Sequence, residues 1–189
     1  MARKALIVKT VMALIEPAIR SRADRLYVLV GGRRGSSKRR PSITTYYEIG
    51  LVVALYEFML MSPDLSHLEV SHEVKYGKKT RPEQVDIWIR APNGGRPTLI
   101  ECGDFTPKKV KEDARKMRRL NPQGTNWFLA FFRDCATAEA PWTKLKECRS
   151  RKGSLKGVHI GIEEGFTGTF TITLPRQSIP FGWAMIRVH

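Results

Sequence analysis

The sequence predicts an α/β or α+β protein, a mixed sheet with helices on at least one face, centred on residues 68–132. Three stretches carry that prediction. "HLEVSHEVKYG" alternates apolar and polar side chains, with Leu68, Val70, His72, Val74 and Tyr76 on one side, the period-two pattern of a half-buried strand. "VDIWIR" and "PTLIEC" flank "APNGG", and Asn93-Gly94 is a strong signal for a two-residue type I′ turn, so the pair reads as a hairpin. "TNWFLAFF" is a continuous apolar run of strand length, which belongs inside a sheet with both faces covered. Trp127 and Phe128 are therefore core residues rather than base-stacking ones.

The other elements follow in order. "ALIVKTVMALI" and "RLYVLV" open the chain, separated by Pro17 and a basic stretch; the second reads as a strand, and periodicity leaves the first as helix or strand. "GGRRGSSKRRPS" combines Gly and Ser with Arg33, Arg34, Lys38, Arg39 and Arg40, an exposed loop suited to gripping phosphate or to serving as a solvated connector. It lacks the residue order of a Walker A loop. Thr45 to Met61 is apolar on nearly every side and predicts a buried helix, in which Thr45-x-x-Glu48 matches a capping box. In "DFTPKKVKEDARKMRRL", Thr106 is the cap and Pro107 the first residue of a very basic helix ending at Leu120. Further on, "PWTKLKECRSRKGSLK" is a short basic helix or loop, "GVHIGIEE" and "GTFTITL" are strands, and the tail from Pro175 has no clear period.

The length of 189 residues suits one domain, with a core over about 45–132, N-terminal strands and a basic loop in 1–44, and C-terminal strands and a tail in 133–189. Lys and Arg number 33 against 18 acids, a net charge of +15, so nucleic acid is the leading partner. Ribosome association and simple solubility are the plainer explanations. Cys102, Cys135 and Cys148 show no C-x-x-C spacing, which argues against a disulfide framework or zinc ribbon and fits a reducing cytoplasm. Lys9 interrupts the N-terminal apolar run, and no stretch approaches the ~20 apolar residues of a membrane span.

A turn centred on Asn93-Gly94 places Asp86 opposite Glu101, on one face of the hairpin, with Val85, Ile87, Ile89, Ile100 and Cys102 on the other. Two carboxylates with Cβ atoms ~4.5 to 5.5 Å apart repel unless a cation lies between them. Mg²⁺ (or Mn²⁺) fits, because it takes one or two protein carboxylates and completes its shell with water and phosphate oxygens. Such an ion can acidify a bound water and neutralise charge on a phosphate. The plain structural reading is a pair of solvated strand ends, one of them bonded to Arg90 or Arg81.

The order of Glu48 helix, strand, Asp86 hairpin, Glu101, helix and apolar strand resembles the core of the PD-(D/E)xK nuclease superfamily, whose restriction-endonuclease-like sheet is flanked by helices. The first acidic position can be filled by Glu83 or Asp86; Asp86, inside the strand and facing Glu101, is preferred. Glu101-Cys102-Gly103 departs from the family pattern by placing Gly103 where Lys is expected. "IECGDFTPKKVKEDARK" looks like the YaeQ branch of the superfamily, in which Glu-x-Gly precedes a basic helix. The resemblance, which covers about 45–132, implies that a helical Lys replaces the missing one: Lys109 first, then Lys111 or Lys108. It also implies Glu48 as a third metal ligand or an orienter of a metal-bound water, in competition with its capping role.

These readings converge on a Mg²⁺-dependent nuclease that hydrolyses phosphodiesters in DNA before RNA. Arg33, Arg34, Lys38, Arg39, Arg40, Lys108, Lys109, Lys111, Arg115, Arg118 and Arg119, together with Lys144 to Lys156, would contact phosphates with little sequence preference. The alternatives are a catalytically inactive nuclease-like binding or assembly module, favoured by Gly103, and a structural protein that binds acidic protein or ribosomal RNA. No G-x-S-x-G elbow, H-E-x-x-H pair or dinucleotide fingerprint supports another enzyme class.

Overall fold

The computed structural model describes residues 2–22, 43–76, 83–133, 139–150, 152–163, 165–174 and 177–189. Its elements are α1 (Ala2–Ser21), α2 (Ile43–Met61), a 3₁₀ turn (Pro63–Leu65), β1 (Glu69–Tyr76), β2 (Glu83–Arg90), β3 (Thr98–Asp104), α3 (Pro107–Leu120), β4 (Thr125–Arg133), α4 (Ala140–Arg149), β5 (Ile160–Gly161), β6 (Thr167–Leu174) and β7 (Gln177–Val188). The strands form one mixed seven-stranded sheet in the order β1-β2-β3-β4-β7-β5, with β6 also paired to β7. Among the described strands only β3 and β4 run parallel. A parallel pair needs a crossover, and α3 supplies it.

Strand alternation sends β4 side chains to two cores. Trp127, Leu129 and Phe131 join Ile87, Ile89, Ile100 and Cys102 beneath α1 and α2. Phe128, Ala130 and Phe132 join Leu99 beneath Val110, Ala114 and Met117 of α3 and Leu145 of α4. The apolar run of β4 is thus covered on both sides, as its sequence requires.

The amino-terminal segment resolves an open reading. Residues 2–21, which the sequence leaves as helix or strand, are helical, because Val8, Val11, Ile15, Ala18 and Ile19 recur at helical spacing and are all buried. The "RLYVLV" stretch lies outside the described residues. Helix α2 also differs in detail: it starts at Ile43, so Thr45 lies inside it rather than at its cap. Leu51, Val52, Ala54, Leu55 and Met59 are buried, but Ile49, Leu60 and Met61 are exposed, so this apolar helix is covered on one side only.

The hairpin connection also differs from the expected turn. The Gly94 amide donates to the Ala91 carbonyl at 3.1 Å, making Pro92 and Asn93 the central turn residues, and Gly94 and Gly95 follow at φ 88° and 104°. Both conformations favour glycine. Ile87 nevertheless pairs with Ile100 and Trp88 with Leu99, the register expected from a turn centred on Asn93-Gly94. The buried face sets that register, since a one-residue slip would take Ile87 and Ile89 out of the core beneath α1 and α2. Val85, expected on their side, instead packs with the α3-side core, because alternation breaks at Asp86.

The tail that lacked a period is β7, paired with β4 over Phe181 to Val188. Pro180 lies just before that ladder and, among the described residues, pairs with β6 alone, so its missing N–H removes none of the described bonds to β4.

Thr106 accepts from the Lys109 amide at 3.1 Å, and Pro107 begins α3, as the sequence predicts. Thr106→Ala should lower unfolding stability by about 1 kcal/mol. Urea denaturation monitored by circular dichroism will measure the loss.

Candidate active site

Asp86 occupies an interruption in two ladders. On one side, β1 pairs His72 with Ile87 and Val74 with Val85 but skips Glu73 opposite Asp86. Glu73 has φ 52°, a left-handed conformation that is uncommon for a side chain other than glycine. On the other side, bridge pairing with β3 stops at Ile87 and Ile100. The Cys102 amide instead donates to Asp86 Oδ2 at 2.7 Å. The carboxylate therefore takes an amide that a continued ladder would give to a β2 carbonyl, and this bond fixes Asp86 against β3.

Glu101, next in that register, is only 3 % exposed. Burial, reinforced by the charge of Asp86, pushes its carboxyl up to about 8, while Lys116 pulls the other way. Lys116 Nζ lies 2.6 Å from Glu101 Oε1 and 3.6 Å from Asp113 Oδ1, and donates to the Gln84 carbonyl at 3.1 Å. Lys109 Nζ lies 3.8 Å from Asp113 Oδ2. Burial also raises the Asp113 pKa, opposed by Lys116 and Lys109. Among the described residues neither Glu101 Oε1 nor Asp113 Oδ2 receives a well-directed hydrogen bond, although both are buried. The site is thus a carboxylate cluster, with Glu101 buried and Asp86 and Asp113 half-buried, balanced by ammonium groups.

The sequence of α3 explains how those ammonium groups arrive. Val110, Ala114 and Met117 form its buried stripe. Lys109, Asp113 and Lys116 repeat the same four-then-three spacing one residue earlier, forming a polar stripe along the edge of the packed face. The Thr106 cap holds one end of the helix. At the other, the Asn121 side chain donates to the Pro97 carbonyl and to Asn126 Oδ1, and Asn126 returns a bond to the Asn121 carbonyl. An Arg119–Glu83 ion pair adds a tie to β2.

The expected residues are distributed unevenly around this cluster. Asp86 and Glu101 come together. Glu83, the other candidate for the first acidic position, is engaged by Arg119. Lys109 reaches Asp113, whereas Lys111 forms no ion pair among the described residues. Lys116 is the lysine that reaches Glu101, and neither it nor Asp113 was singled out from sequence. The repeated stripe was the available signal, masked by seven basic residues between Pro107 and Arg119. Glu48 lies in α2, with its side chain outside the described residues, as is the loop bearing Arg33, Arg34, Lys38, Arg39 and Arg40. Lys108, Arg115, Arg118 and Arg119 are exposed on α3.

Among the described residues no three His, Cys, Asp or Glu side chains form a metal-binding group. Asp86 and Glu101 supply two carboxylates, the number Mg²⁺ commonly takes from protein, and an ion held through Glu101 Oε1 would share that oxygen with Lys116. Comparison with family models, curated proteins and solved structures finds no match to this chain. No helix among the described residues is long and apolar enough to cross a membrane.

The raised Glu101 pKa has a defined consequence for stability. Between the ordinary value of 4.5 and about 8 the unfolded carboxyl loses its proton while the folded one keeps it, so stability falls as pH rises through that window. Glu101→Gln removes this dependence. Its stability relative to the parent should rise by roughly 1 to 3 kcal/mol between pH 5 and 8, measured by denaturant unfolding in metal-free buffer.

Proposed function

We propose that this protein is a Mg²⁺-dependent nuclease of the PD-(D/E)xK type, hydrolysing phosphodiesters in DNA before RNA. One observation carries the reading: Lys116, delivered from α3, places its ammonium 2.6 Å from the Glu101 carboxylate beside Asp86. The family pattern expects a lysine two residues after the glutamate, at Gly103; here a helical residue brings the same charge to the same carboxylate. The run α2-β1-β2-β3-α3-β4, with β4 parallel to β3, supports a restriction-endonuclease-like core.

Asp86 and Glu101 hold the ion, with Asp86 oriented by the Cys102 amide. When bound there, Mg²⁺ neutralises phosphate charge and makes a coordinated water more acidic. Lys116 stabilises the negative charge that develops on the phosphate, an effect strengthened by its partly buried position. Asp113 faces both Lys116 and Lys109 and holds the ammonium groups towards the sheet. Exposed Lys108, Arg115 and Arg118 on α3, with Lys146 and Arg149 on α4, lie on the same side of the sheet and attract the nucleic-acid backbone.

Mn²⁺ titration by calorimetry tests the metal site, and binding should disappear in both Asp86→Ala and Glu101→Ala. Absence of binding to the parent protein, even with DNA present, would leave a nucleic-acid-binding module on a nuclease-like scaffold. In cleavage assays, Lys116→Ala should lose about 100-fold or more in rate. Lys111→Ala should stay within a few-fold of the parent, and equal losses would contradict the assignment of Lys116.

A further inference from the structure

The face of β2 that carries Asp86 continues beyond the carboxylate pair. Trp88 pairs with Leu99 on the side that α3 covers, and Arg90 follows at the two-residue period. Strict alternation breaks at Asp86, since Val85 also packs on that side, but Asp86 lies beside Glu101, so the Trp88–Arg90 pair borders the carboxylates. Helix α3 packs mainly on β3, β4 and β7, leaving Trp88 and Arg90 half-buried. The Arg90 guanidinium lies 4.7 Å from the centre of the Trp88 ring. One edge of that guanidinium is occupied: Nε and Nη2 donate to Glu69 Oε2 at 3.3 and 3.0 Å. Among the described residues Nη1 makes no hydrogen bond.

We propose that Trp88 and Arg90 form a nucleotide subsite for an unpaired strand running along β2 from the carboxylate pair. This rests on the nuclease reading for the identity of its ligand. Positions two residues apart on a strand are about 6.6 Å apart, comparable with one nucleotide step, so the Trp88–Arg90 pair can meet a nucleotide next to one held at the carboxylates. The guanidinium over the indole presents an aromatic and cationic surface to a base, while the open Nη1 edge takes a phosphate oxygen. A paired base has its faces covered by neighbours in the duplex and cannot use that surface without unstacking. Glu69 holds the guanidinium beside the indole and offsets its charge until a phosphate competes for it.

The plain alternative is that Arg90 merely shields Trp88 and ties β2 to β1. Binding in chelator separates the two, because no cleavage can then contribute. The probes are a fluorescent oligothymidylate and a blunt duplex of equal length, measured by anisotropy over a range of salt concentrations. Arg90→Ala should weaken oligothymidylate binding about tenfold and reduce the salt slope by about one. Trp88→Leu should weaken it several-fold while changing duplex binding by less than twofold. Glu69→Gln breaks the same ion pair but frees the guanidinium, so its binding should equal or exceed that of the parent.

Melting curves establish that each variant is folded. Unchanged binding in Arg90→Ala would overturn the subsite, as would an equal loss in Glu69→Gln or an equal loss on blunt duplex. Those results would leave the nuclease reading to its own metal and cleavage assays. Loss of metal binding and cleavage with the oligothymidylate effects intact would refute the nuclease reading alone.

Discussion

The contact between Lys116 and Glu101 joins the sheet to its covering helix where a carboxylate has almost no access to water. Ionising a carboxyl in such a place costs several kcal/mol unless a counter-charge is close. Glu101 cannot move away to relieve that cost, because β3 is held between β2 and β4 and its neighbours Ile100 and Cys102 fill the opposite core. The burden falls on α3, whose Thr106 cap and Asn121 network fix both ends while its apolar stripe seats it on the sheet. The helix crossover required by a parallel strand pair therefore also carries the cation required by the site.

The second feature of the site is a controlled loss of regularity. An uninterrupted sheet would give both sides of β2 at Asp86 to backbone hydrogen bonds. Glu73 instead adopts a left-handed conformation opposite it, and the carboxylate claims the Cys102 amide. Backbone strain of this kind typically costs about 1–3 kcal/mol and tends to gather at functional sites. Here the irregularity lies beside the most strongly perturbed carboxylate among the described residues.

Charge and chemistry share a side of the sheet. Helices α3 and α4 carry exposed lysines and arginines over the core beneath which Glu101 and Asp86 lie, and the Trp88–Arg90 stack extends the same surface along β2. The opposite layer, α1 and α2, leaves Ile49, Leu60 and Met61 exposed and pairs its described arginines with Glu16 and Glu57. A polyanion approaching in the protein's positive field would thus meet these exposed basic groups and the carboxylates on one side.

Local pattern alone determined the hairpin register, the β4 core, the cap and extent of α3, and the proximity of Asp86 to Glu101. In each case one face must avoid water or one terminal amide must find an acceptor, and a few neighbouring residues express that requirement. The α1 helix and central β7 were less legible, the first because a short apolar run has an ambiguous period and the second because Pro180 and Gly182 interrupt it. Tertiary structure decided which lysine serves Glu101. Several residues of α3 carry the same charge, and only the seating of Val110, Ala114 and Met117 on the sheet, with the helix ends pinned, brings Lys116 to the carboxylate and leaves Lys111 apart.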